Sequence, residues 1–93
     1  MDPVSLAGTL TAFLAPLLPY LLKGGEKAAE EVGKKFGGVV WDKATALWAR
    51  LRPKLEARPG APEAVQEVAQ APEDQASRGA LELQVRKILA EDS

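Results

Sequence analysis

The sequence predicts an all-α fold, a small bundle of about four helices whose N-terminal helix is unusually hydrophobic. Three observations predict it. Ala and Leu dominate the 93 residues, and aromatic residues make up only 5%, a balance that favours helix over strand. Apolar residues recur at spacings of three and four, the period of a helix face. Gly24 with Gly25, Pro59 with Gly60, and Pro72 fall between these periodic stretches, where such residues stop helices. Ninety-three residues support a single domain, 1–93, with a small core.

Residues 3–22 carry no charge, although 27% of the chain is charged. As one helix they would extend about 30 Å, the thickness of a bilayer core. Asp2 or Ser5 can cap this helix and Pro3 suits its first turn. Leu6, Leu10, Phe13, Leu14, Leu17, Leu18, Leu21 and Leu22 form a wide apolar stripe. Pro16 and Pro19 remove the bonds to the carbonyls of Ala12 and Ala15, so a kink or break is expected near residues 12–16. Gly24 and Gly25 end the element, making residues 1–25 the hydrophobic N-terminal helix.

Residues 26–58 read as one long amphipathic helix and its closing turn. Val32, Phe36, Val40, Ala44, Leu47 and Leu51 mark its inner face, with Trp41 and Trp48 beside it. Gly33 and Gly37 stand four apart on that side, which predicts close approach of the first helix along residues 32–51. Pro53 bends or ends the helix. Residues 61–92 then hold two shorter helices, begun by Ala61-Pro62-Glu63 and Ala71-Pro72-Glu73. Val65, Val68 and Ala69 face inward in one; Ala76, Ala80 or Leu81, Val85, Ile88 and Leu89 do so in the other.

Composition removes most chemistry. There is no Cys and no His, hence no disulfide, no thiolate or imidazole metal site, and no histidine general base. No phosphate-cradling loop, nucleophile–base pair or spaced acidic metal loop is present. The expectation is a non-enzyme without cofactor or metal, in an intracellular setting. Net charge is −1, which argues against a nucleic-acid partner. That charge is polarised: residues 1–25 are neutral, 26–58 carry +3 and 59–93 carry −4. Arg50, Arg52, Lys54 and Arg58 form a basic patch, and with Trp48 they are candidate contacts to an anionic membrane surface. A cleaved signal peptide is disfavoured, since Asp2 makes the start acidic and the apolar run ends at Tyr20-Leu21-Leu22.

The run LAPLLPYLLKGGEKAAEEVGKKFGGVVWDKATALWARLRPKLE, followed by EDQASRGALELQVRKILAED, resembles the small helical N-terminal modules of bacterial defence proteins, in particular the Bell domains. These are analogues of the fungal HeLo and HeLo-like cell-death domains, and the resemblance covers roughly residues 6–92. It implies a helical bundle, autoinhibited when monomeric, whose N-terminal helix (residues 6–22 here) leaves the bundle to disrupt or perforate a membrane. It also implies self-association, an upstream signalling receptor or amyloid-motif protein as partner, and movement from the cytoplasm to the inner face of the cell membrane. No amyloid motif lies within the 93 residues, which departs from the family pattern, and the paired prolines depart from a simple spanning helix.

Two other classes remain open. A homotypic, death-fold-like adaptor would use the basic middle and acidic end but has no need of twenty uncharged residues. A small helical bacteriocin would suit the size and apolar content but not the near-zero charge.

Overall fold

The computed structural model describes residues 2–91, which form six α-helices and one 3-10 turn, with no strand among them. The fold is a small all-α bundle with an apolar N-terminal helix. Helix α1 (Pro3–Leu14) begins at Asp2, whose Oδ1 accepts the Ser5 N–H at 2.8 Å. The prolines then break it as their missing N–H groups require. A 3-10 turn (Ala15–Leu17) carries Pro16, and α2 (Leu18–Lys23) resumes the helix. Gly24, at φ 66°, ends α2 and donates its N–H to the Tyr20 carbonyl.

Helices α3 (Gly25–Phe36) and α4 (Gly38–Glu56) follow, joined through Gly37 alone. Pro53 is accommodated inside α4, which runs on to Glu56. Helix α5 (Ala61–Gln70) starts after Gly60, and α6 (Gln75–Glu91) closes the described chain. Its cap is Asp74, which accepts both the N–H and the hydroxyl of Ser77. The predicted start at Ala71-Pro72-Glu73 is therefore a turn, and the helix begins beyond it.

The packing places α1 along α6, α3 beside α4, and α5 against α6, while α2 touches α3, α4 and α5. One buried cluster results. Leu14, Leu17, Leu18 and Leu21 meet Val32, Trp48, Leu51, Leu55, Val65, Val68, Leu81, Val85 and Ile88 in it. The inward positions expected at Val65 and Val68, and at Leu81, Val85 and Ile88, are buried, whereas Ala76 and Ala80 are exposed.

Three expectations are corrected. The single long helix expected within residues 26–58 is two helices, because Gly37 at φ 96° and ψ 151° lies outside helical space. Of the expected inner face, Val32, Ala44 and Leu51 are buried and Val40 and Leu47 partly so, whereas Phe36, at the end of α3, is exposed, as is Val39 beyond the break. The lengthwise partner of the first helix is α6, not residues 32–51. The first helix meets that region at Leu10, which shares a groove with Leu47 and Leu51, and at Phe13 and Leu17, which share one with Phe36 and Val40. Gly33 and Gly37 do not mediate helix packing, since a Cβ on either would meet nothing within 4 Å.

The glycines thus give opposite outcomes on substitution. Gly33→Ala should stabilise by about 0.4–1 kcal/mol, because it restricts the unfolded chain in an open helical position. Gly37→Ala should destabilise by about 1–3 kcal/mol, because its backbone conformation is open essentially only to glycine. Urea denaturation midpoints of the two variants check both signs.

Candidate membrane-active segment

Helix α1, the 3-10 turn and α2 act as one nearly continuous helical run. Val4–Lys23 is 20 residues long, and an 18-residue stretch within it has a mean hydropathy of 1.6 with 39% of it buried. By length and composition it could cross a membrane, and a core helix of a water-exposed bundle satisfies the same criteria. Its stripe is divided by the structure. Leu14, Leu17, Leu18 and Leu21 are buried, whereas Leu6, Leu10, Phe13 and Leu22 are partly exposed. Val4, Ala12 and Pro16 face outward. The segment therefore fills the core with its larger leucines and presents further apolar surface to the outside.

Beside the leucines, a buried row of small side chains runs along α1 and into the turn after it. Ala7, Thr11 and Ala15, at i, i+4 and i+8, are all at most 2% exposed. Small side chains at this spacing let two helix backbones approach closely. On an adjacent position of the same helix, a Cβ at Gly8 would stand 3.5 Å from the Glu82 carboxylate of α6. The signal was present as a small-residue repeat, but the more conspicuous Gly33–Gly37 pair drew the inference elsewhere.

Polar groups along the segment are unevenly satisfied. Thr9 donates its hydroxyl to the Ser5 carbonyl at 3.0 Å, but the buried Thr11 Oγ1 has no protein partner. Such an orphan costs about 1–3 kcal/mol. At the other end the Lys35 ammonium donates to the Tyr20 hydroxyl at 2.8 Å and lies 5.4 Å from its ring centroid. That hydrogen bond, aided by charge interactions with Tyr20 and Glu31, holds Lys35 above the usual lysine range. The Ser5 backbone N–H is the largest cause lowering Asp2 below the usual carboxylate range, and the Ser77 hydroxyl, with its N–H, lowers Asp74. Both helices of the α1–α6 pair therefore begin with an ionised Asp-x-x-Ser cap.

The predicted membrane-surface set is dispersed. Trp48 is 7% exposed, a core residue whose Nε1 lacks a protein partner, and so cannot lie at a membrane surface in this state. Trp41 is the partly exposed one of the pair. Arg50, Arg52 and Lys54 are exposed on the second half of α4. Arg52 pairs with Glu56 at 3.0 Å, while Arg50 and Lys54 rim a groove floored by Leu10, Leu47, Leu51 and Ile88. Arg58 is turned inward, donating to Gln84 at 3.2 Å and Glu91 at 2.6 Å, and so ties the loop after α4 to α6. Among the described residues no group of three His, Cys, Asp or Glu side chains is placed to hold a metal ion. Comparisons with family models, curated proteins and solved structures give no significant match.

Two outcomes follow. Thr11→Val keeps the shape and removes the orphan hydroxyl, so it should raise stability by about 1 kcal/mol in urea melts. The caps should confer acid sensitivity. Their folded pKa values are depressed, so their contribution is present at neutral pH and is lost as pH falls through those values. An Asp2→Asn/Asp74→Asn double variant should melt close to wild type at pH 7 and lose less on acidification to about pH 3, as thermal melts would show.

Proposed function

We propose that this domain is a non-enzymatic membrane-targeting module of the Bell type, a cell-death execution domain of bacterial immunity that keeps its N-terminal helix packed until protomers cluster. The observation that carries the reading is the divided burial of Val4–Lys23, a segment without acid or base before Lys23, in which 39% of the most apolar 18-residue stretch is buried. A helix held on one side by its own domain and apolar on part of the other has two alternative apolar environments, the bundle and lipid. Clustering favours the second by concentrating many such helices at one surface. The partners under this reading are other copies of the chain, an upstream receptor or amyloid-motif protein, and the inner face of the cell membrane. The break at residues 15–17 favours disruption or oblique insertion over a straight span.

The adaptor reading draws support from the +3 middle and −4 end of the chain, which could pair between copies. Dye release separates the two. Protein clustered by a fused oligomerisation tag should empty anionic liposomes, and untagged monomer should not. Ala12→Lys is the informative variant. Ala12 is exposed, so the bundle should melt as wild type, yet a lysine in mid-segment costs about 2.5–3.5 kcal/mol per helix at bilayer depth. Release should fall at least about ten-fold. Clustered, folded wild-type protein that leaves liposomes intact would favour the adaptor.

A further inference from the structure

The α3–α4 corner has no role in the account so far, yet it holds the most exposed large apolar side chains that follow the first helix. Phe36 is 45% and Val39 67% exposed, on either side of Gly37 and Gly38. Behind them a groove lined by Ala12, Phe13, Pro16, Leu17, Phe36 and Val40 joins the corner to the break in the N-terminal segment. We propose that this corner is the surface by which the domain first docks on an anionic lipid bilayer, through Phe36 and Val39, with Lys34, Lys35 and Lys43 meeting the headgroups. The proposal rests on the membrane-directed reading and assigns the face that meets the lipid.

Three features favour a bilayer as the occupant. The charges adjoining the corner are complementary to it. Between residues 34 and 43 lie three lysines and one acid, Asp42, while Glu26, Glu30 and Glu31 of α3 sit farther back along that helix. Lys34 keeps only a 3.8 Å exposed pairing with Glu30, and the Lys35 ammonium remains at the surface beside Tyr20. Apolar tips flanked by cations are the composition of an interfacial membrane contact. The area is also wrong for a second copy of the chain. The exposed parts of Phe36 and Val39 amount to roughly 200 Å², against about 800 Å² per partner in a stable protein interface. Finally, the apolar surface is continuous from the corner to Ala12 and Pro16. Docking here would bring lipid to the point where the first helix is already broken.

The position differs from the basic patch at Arg50, Arg52 and Lys54. Val39 and Arg50 lie on nearly the same side of α4 but about three turns, or roughly 16 Å, apart, so labels at the two sites distinguish its two ends. The chain has no native cysteine, which allows an environment-sensitive fluorophore to be placed at Val39→Cys or Arg50→Cys in otherwise intact protein. With vesicles of phosphatidylglycerol and phosphatidylcholine, the label at 39 should brighten and shift to the blue more than the label at 50. An equal or larger response at 50 overturns the proposal, as does a response at 39 that appears without lipid as protein concentration rises, which would assign the corner to a second copy. Val39→Asp, at a site already exposed, should leave the melting temperature unchanged and weaken vesicle partitioning about ten-fold. Unchanged partitioning also overturns the docking face. Dye release by the clustered protein with a silent label at 39 would defeat this inference alone; neither binding nor release would defeat the membrane reading with it.

Discussion

The bundle is held closed by the contact between its first and last helices. α1 has no other extended partner, and α6 is also the main support of α5. Removing α1 from α6 would uncover Leu81, Val85 and Ile88 together with Ala7, Thr11 and Ala15. The contact joins residues more than sixty positions apart in sequence. It therefore orders only when the intervening helices have assembled, and a small domain stabilised this way has little reserve to lose. The shared Asp-x-x-Ser start of the two helices adds a local reason for each to form before they meet.

That dependence explains what the sequence did and did not disclose. Helical class, the stop at Gly24, the proline break and the inward faces of α5 and α6 are local properties, set by period and by missing N–H groups, and they were legible. The partner of α1 was not, because an apolar stripe says that a face will be covered without saying by what. The split at Gly37 was missed for a related reason. The residues from Val32 to Leu51 fit one helical period, but a single glycine with positive φ breaks the helix. Phe36, the last residue of α3, and Val39, in the first turn of α4, emerge at the surface where the chain turns at Gly37.

The candidate segment shows the same division. Its apolar length and its leucines could be read directly, yet the feature that fixes its orientation is a row of alanines and one threonine that no hydropathy pattern emphasises. Trp48 illustrates the converse. A tryptophan near cations suggests a membrane interface, but the two largest side chains of so small a protein are also its best core fillers, and the bundle uses one of them that way. The basic residues beside it were judged by sequence proximity, whereas the structure separates an exposed Arg50 from an inward Arg58 held by Gln84 and Glu91.

The proline break divides the apolar segment into halves that enter the core differently. On the α1 side the buried positions are Ala7, Thr11 and Leu14, followed by Ala15 in the turn, with the Thr11 hydroxyl unsatisfied. On the far side Leu17, Leu18 and Leu21 are buried among helices α3, α4 and α5. Burying a leucine contributes about 1.5–3 kcal/mol, and an alanine methyl well under that. Two prolines without N–H groups mean that separating the halves breaks fewer backbone hydrogen bonds than unwinding an intact helix would. α1 thus enters the core with one buried leucine, Leu14, where the stretch beyond it enters with three. The groove at the corner opens where the two stretches meet. A membrane reached from the corner would encounter the segment at its break, with Leu17, Leu18 and Leu21 buried in the core beyond it.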